Sequence, residues 1–296
     1  MVDEEALVKA KIVLYKQQLA PTDFETFCTY VDPRYQVIAT QEWKNIHRQL
    51  IEHYEAVAKW EIKRLMVQCP ARLWKSELWW IKLPTWFLGR NPDKNFVLAS
   101  YDANLASDFS RKARDIVKTK RFKDVFPKFE LAWDRDTQTH WETIQRWWMY
   151  SVWVGGSLTW KWWNILYIDD PVKNMEEAQS PVIQEKIIDR YDSVLSTRKQ
   201  DEKSSIVLTM TRWNTNDLAW YLQEQEKAWW EKRVKLTIKA INDAGYPIIR
   251  PWKRWPDYFF KERETRSTKV WEALFQQDPR EMTWNIFKPW NERYFW

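Results

Sequence analysis

Glycine is what this chain most lacks. It has 4 glycines in 296 residues, where the usual share of about 7% would give about 20. Tryptophan is in surplus by a similar margin, at 24, and taking away roughly 16 would leave an ordinary complement. Glycine supplies left-handed backbone and lets the main chain approach a ligand with no side chain in the way. Many of the tryptophans stand where that chemistry is wanted. The clearest is Trp74 in CPARLWKSE (69–77), just before a Lys-Ser pair. The exchange is read here as glycine recoded as tryptophan, because UGA encodes glycine in some genetic codes and tryptophan in others. The gene tests this directly: UGG at every suspect position would exclude it.

Other absences narrow the class. The two cysteines, Cys28 and Cys69, form no CxxC pair, which points to a reducing compartment with no structural disulfide or zinc site. The three histidines, His47, His53 and His140, are too few and too scattered for a histidine metal centre. No apolar run reaches 18 residues, so no membrane span is expected, and the charged start MVDEEALVKAK has no signal-like apolar core. What is present fits a globular enzyme. The apolar fraction is 45% and the charged fraction 30%, with 47 basic against 41 acidic residues, a net charge of +6. That mild excess is compatible with a polyanion partner without demanding one.

Hydrophobic periodicity predicts amphipathic helices over 3–19 and 41–59, the second with Trp43, Ile46, Leu50 and Tyr54 on one face. IKRLMVQC (62–69), NFVLASY (95–101), MYSVWV (149–154), NILYIDD (164–170) and SSIVLTMTR (204–212) read as strands. Helices are expected over 104–119, with a basic face, and over 176–198 and 216–228. Strands separated by helices argue for a mostly parallel α/β sheet. Beyond about 246, proline and aromatics accumulate and periodicity fades.

Three segments carry chemistry. With glycine at 74, residues 69–76 approach the phosphate-loop pattern G-x-x-x-x-G-K-[ST], whose backbone N–H groups cradle phosphates. Cys69 holds the first glycine position, so the match is degenerate there too. ILYIDDP (165–171) places Asp169 and Asp170 at the end of an apolar strand, where a nucleotide hydrolase sets carboxylates for Mg²⁺ and the attacking water. The blander alternative is a strand followed by an acidic turn. LTMTR (208–212) is a strand tipped by Thr211 and Arg212. In a parallel sheet these three tips would meet where ligands bind, beyond the strands' carboxyl ends. Their order is that of an additional-strand P-loop ATPase.

Together the motifs resemble one family, the ATPase domain of the large terminase subunit of tailed bacteriophages. The resemblance rests on PARLWKSE (70–77), LGRNPD (88–93), ASY (99–101), WVGGSLTWKW (153–162), YIDDPVKN (167–174), TRWNTNDL (211–218), LFQQDP (274–279) and TWNIFKPW (283–290). It sorts the indoles. Trp60, Trp74, Trp147, Trp148, Trp153, Trp160, Trp162, Trp220 and Trp284 match family glycines, whereas Trp86, Trp141, Trp213, Trp271 and Trp290 match family tryptophans.

The resemblance implies an α/β P-loop NTPase that binds ATP and Mg²⁺ through Arg72, Leu73, Trp74, Lys75, Ser76 and Glu77. Lys75 would contact the β- and γ-phosphates, Ser76 and Asp169 would serve the metal, and Arg72 would act on the γ-phosphate or else be a surface arginine paired with an acid. Asp170 would orient or deprotonate water, though many relatives of this motor class carry glutamate there. Thr211 would couple hydrolysis to movement. Gly155, Gly156, Thr159 and Lys161 would form a loop near nucleotide or DNA, and His47 an adenine-side or core position. The implied organisation is an N-terminal helical region (1–60), an ATPase core (61–245) and a linker (246–296) toward an RNase H-like nuclease domain. Because the acid cluster of that domain is absent after 280, nuclease activity is not expected from this chain. Expected partners are double-stranded DNA, the portal protein, the small terminase subunit and further copies in a ring, in the host cytoplasm and with no membrane. The alternatives are a non-enzymatic Trp-rich module binding nucleic acid or carbohydrate, and another P-loop DNA motor.

Overall fold

The structure is a computed structural model that describes residues 4–32, 35, 44–70, 78–154, 156, 158, 161–228, 231–245, 247 and 258–280, with 44, 45 and 79 described for backbone only. In chain order come α1 (Glu4–Leu19), α2 (Phe24–Val31), α3 (Lys44–Ala58) and β1 (Arg64–Gln68). A π-wound turn, Leu78–Lys82, leads into α4 (Leu83–Arg90), then β2 (Phe96–Ser100), α5 (Ala103–Val117) and α6 (Lys120–Val125). An antiparallel excursion follows, β3 (Leu131–Asp136), β4 (His140–Thr143) and β5 (Trp148–Trp153). The chain continues through β6 (Ile165–Asp169), α7 (Met175–Gln179), α8 (Pro181–Arg190), β7 (Ser205–Met210), α9 (Leu218–Ala228), β8 (Val234–Thr237), α10 (Tyr258–Thr265) and α11 (Thr268–Val270), which runs into a π turn, Trp271–Phe275.

The eight strands form one sheet in the order β3-β4-β5-β2-β6-β7-β1-β8. From β5 to β8 every neighbouring pair is parallel, while β3 and β4 pair antiparallel at one edge. β1, β2, β6 and β7 are buried at every position, as a parallel sheet covered on both faces requires. Their side chains alternate between two layers. Leu65, Val67, Phe96, Leu98, Ile165, Tyr167 and Val207 pack under α2 to α6. Met66, Val97, Ala99, Leu166, Ile168, Ile206 and Leu208 face α7, α8 and α9. The strand tipped by Thr211 lies between β1 and the acid-tipped β6, the additional-strand placement expected from the motif order.

Several local readings need correction. α1 forms as expected, but none of its residues is buried, and Leu7, Val8, Ile12, Val13 and Leu14 remain exposed around it; it is apolar on more than one side rather than amphipathic. The single helix expected over 176–198 breaks at Ser180, whose ψ is 110°. The residue before a proline is pushed out of the α region, and the Ser180 side chain then caps α8 by accepting from the Ile183 N–H. α2, α6, β3, β4, β8 and α10 had no clear periodicity to announce them.

One backbone position bears on the glycine deficit. After α3, Trp60 has φ +66°, its N–H bonds to the Val57 carbonyl at 3.0 Å, and the Glu61 N–H bonds to the Ala56 carbonyl at 2.8 Å. This is the Schellman helix end, whose left-handed residue is usually glycine.

Candidate functional site

The tips of β1, β6 and β7 are tied together at the carboxyl edge of the sheet. The Cys69 N–H bonds to the Met210 carbonyl at 3.2 Å, and the Asp170 N–H to the Thr209 carbonyl at 2.9 Å. The Thr211 hydroxyl donates to the Cys69 carbonyl at 3.1 Å, and the Thr211 N–H donates to Asp170 Oδ1 at 2.8 Å. The convergence expected of Asp169, Asp170 and Thr211 is therefore present. Asp170 sits at φ +37°, a region that aspartate tolerates better than most residues. That turn lifts its carboxylate off the strand and onto the Thr211 amide.

Asp169 is only 3% exposed. In register it lies between Ser100 of β2 and Thr209 of β7, on the same strand face as Tyr167. Beneath it is a buried hydroxyl network: Tyr167 donates to Thr209 Oγ1 at 2.6 Å, and the Tyr54 hydroxyl meets the same oxygen at 2.9 Å. Burial pushes both phenols up in pKa, so they remain protonated. A fixed polar floor thus supports the acid-bearing edge. Tyr101, just past β2, is also pushed up, first by burial and then by the carboxylates of Asp102, Asp170 and Asp169.

Neither Ser100 nor Tyr101 was assigned a role by sequence, although ASY was noted as a motif. The Ser100 hydroxyl is fully buried with no hydrogen-bond partner among the described residues. Buried hydroxyls ordinarily have a partner, so the site has polar capacity to spare for a ligand. The donors suit a hard cation. No group of three or more His, Cys, Asp or Glu could hold a metal among the described residues. Mg²⁺ asks for less, one or two carboxylates plus phosphate oxygens and waters, and the Asp169 carboxylate is of the type it takes.

Arg212, next to Thr211, is not directed at the site. Its Nε donates to Asp217 Oδ2 at 2.6 Å, and Asp217 is 1% exposed. Burial raises the Asp217 pKa while Arg212 opposes the shift. The Arg212 backbone N–H donates to Gln277 Oε1 at 3.0 Å, a link that sequence reasoning missed.

Other singled-out residues fall elsewhere. His47 lies on α3, buried, 6.5 Å from the Tyr35 ring. Lys161 is engaged at the sheet's antiparallel end, 5.0 Å from the Trp148 ring and 4.9 Å from that of Tyr150. Gly156 has no room for a Cβ, which would meet Val152 at 2.3 Å. Arg72, Leu73, Trp74, Lys75, Ser76 and Glu77 lie outside the described residues, as do Gly155, Thr159, Trp160, Trp284 and Trp290. The described chain leaves β1 at Pro70 and resumes at Leu78, entering the helical layer that covers the Asp169 face.

A mixed α/β fold of the P-loop type is thus defined by the eight-stranded sheet, its flanking helices and the additional strand. Among solved structures it matches the ATPase domain of the large terminase of Thermus phage P74-26, with a TM-score of 0.50 and 12% identity over 84% of this chain and 98% of that one. The HK97 bacteriophage large terminase matches at a TM-score of 0.47 and 11% identity, over 76% of this chain and 49% of that one. A large terminase of a thermophilic bacteriophage, solved in complex with ADP, matches at 0.42 and 9% identity, over 75% of this chain and 52% of that one. The chain therefore spans about half the length of these two longer terminases. No family model and no curated protein sequence matches the chain. The fold is that of phage large-terminase ATPase domains.

Proposed function

We propose that this chain is the ATP-hydrolysing motor domain of a phage terminase large subunit, driving double-stranded DNA into a procapsid. The observation that carries the reading is the meeting of Cys69, Asp169, Asp170 and Thr211 at one sheet edge, with β7 between the loop-bearing strand and the acid-bearing strand. In this reading Lys75 contacts the β- and γ-phosphates, and Ser76 and Asp169 hold Mg²⁺. Arg72 offsets charge on the γ-phosphate, and Asp170 orients or deprotonates the attacking water. Bound Mg²⁺ would neutralise charge on the phosphate oxygens. The Thr211 N–H fixes the direction of the Asp170 carboxylate. Thr211 in turn is anchored to the Cys69 carbonyl at the root of the loop, so Asp170 and the loop root are joined through the β7 tip.

Double-stranded DNA, the portal protein, the small terminase subunit and further copies in a ring are the proposed partners, in the host cytoplasm. The Trp-rich binding module is less well supported. Among the described residues the exposed indoles are Trp133 on β3, Trp153 on β5, Trp162 in a loop and Trp220 on α9, spread over strands, a loop and a helix rather than gathered on one element as a stacking platform would be.

The recoding of glycine belongs to this proposal too, supported by Trp60 in a glycine-type helix end. At Trp74 an indole would occupy the space that phosphate-loop amides open to the ligand. ATP hydrolysis by the chain as written should be absent or severely reduced, and the Trp74→Gly chain should restore it. Equal hydrolysis by both would remove the glycine argument, and none by Trp74→Gly would remove the ATPase reading.

A further inference from the structure

Gln277 combines features that packing alone does not account for. It is 4% exposed and has φ +61°, backbone that a non-glycine residue adopts at an energetic cost. Strain of this kind persists where the surroundings enforce it and is concentrated at working sites. The turn delivers the Gln277 amide to one place: its Oε1 accepts from the Arg212 N–H at 3.0 Å, and its Nε2 donates to the Leu274 carbonyl at 2.7 Å. The Thr211 N–H, one residue earlier, is held by Asp170 Oδ1 at 2.8 Å. Successive amides at the β7 tip are thus held from opposite sides, one by the acid of the candidate site and the other by the segment after α11.

That segment reaches well beyond the contact. The Ala240 N–H, past β8, bonds to the Phe275 carbonyl at 2.8 Å, and Trp271 stacks on Phe275 with centroids 5.0 Å apart. A cavity of about 310 Å³ lies between the segment and the loop after β7, lined by Trp213, Asn214, Thr215, Lys269, Pro279 and Arg280 among others. The Arg212 side chain is committed to Asp217, leaving the backbone amide as the direct link from Arg212 to residues 271–280 among the described contacts.

We propose that Gln277 is a positioning residue. It latches the segment after α11 onto the Thr211–Arg212 tip, so that this segment follows the tip as Asp170 changes partners through the reaction. The proposal rests on the ATPase reading for its trigger, but the latch itself can be tested separately.

The test uses Gln277→Gly and Gln277→Glu in the full chain. Glycine removes the side chain and relieves the φ +61° backbone; glutamate, protonated in this buried setting, keeps an oxygen for the Arg212 N–H and an O–H for the Leu274 carbonyl. Amide hydrogen exchange over 205–215 should quicken roughly five- to tenfold in Gln277→Gly, the scale of one lost hydrogen bond. It should stay near the parent rate in Gln277→Glu, with no drop in melting temperature for Gln277→Gly. In the Trp74→Gly background, Gln277→Gly should lower kcat by a similar factor and leave the KM for ATP unchanged, with Gln277→Glu recovering most of kcat. Unchanged exchange in Gln277→Gly would overturn the latch. Faster exchange with unchanged kcat in a hydrolysing background would overturn its role in the reaction. If the Trp74→Gly chain does not hydrolyse ATP, the ATPase reading fails while the exchange result still decides the latch.

Discussion

Trp86 donates its indole N–H to the Ala20 carbonyl at 2.8 Å, packs 5.1 Å from Phe24 and carries the Arg90 guanidinium 4.6 Å above its ring. Trp141, also fully buried, donates to Ser110 Oγ. Both match family tryptophans and behave as large core residues whose polar atom is satisfied. Trp153 and Trp220, which match family glycines, are 50% and 39% exposed. Trp60 is intermediate: its ring meets Phe87 edge-on at 5.4 Å while its backbone has left-handed geometry. Removing that ring forfeits about 0.5–1.5 kcal/mol of aromatic contact on top of the area it buries against the core, and glycine returns about 1–2 kcal/mol of backbone strain. Trp60→Gly should therefore lose clearly less unfolding free energy than Trp86→Ala, which should lose about 3–5 kcal/mol. Urea unfolding of the two variants checks this, and a large loss at Trp60 would count against its reading as a displaced glycine.

α3 carries a residue that makes folding sensitive to pH. Burial holds the His47 pKa down to about 4 from its usual 6.5. The unfolded chain therefore binds a proton between those values that the folded chain refuses, and stability falls as pH drops from about 6.5 toward 4. The loss should reach about 1.4 kcal/mol per pH unit at its steepest. His47→Gln should flatten that part of the profile, and urea unfolding from pH 7 to pH 4.5 would show whether it does. Tyr54, on the same helix, reaches the Thr209 hydroxyl below Asp169, so α3 also braces the site. Of these elements, β1, β2, β6 and β7 were legible in the sequence because strands buried on both faces form continuous apolar runs. The meeting of Asp169, Asp170 and Thr211 was legible from motif order. β3 and β8 were not, since an exposed edge strand with a mixed pattern resembles a loop. Gln277 was illegible for another reason: its role depends on a left-handed turn and a contact 65 residues away, and neither leaves a local pattern.

Across the whole molecule, a net charge of +6 overstates the positive surface that α5 can offer to DNA. Arg111 pairs with Asp108 at 3.6 Å and Asp115 at 3.2 Å, Arg114 with Asp136 at 3.5 Å, and Lys118 with the same aspartate. The basic face expected of this helix is thus largely spent on acids of the chain itself. If the molecule grips double-stranded DNA as proposed, through phosphates and regardless of sequence, the grip must come from other cations. Affinity should be equal for unrelated duplexes of one length and should fall linearly with the logarithm of salt. Each phosphate contact contributes about 0.9 to that slope, so three contacts would weaken binding roughly fortyfold between about 50 and about 200 mM salt. Arg111→Ala with Lys118→Ala should leave the slope unchanged in a fluorescence-anisotropy titration. A slope shallower by about 2 in that double variant would place both residues on DNA and show their pairing with Asp108, Asp115 and Asp136 to be dispensable.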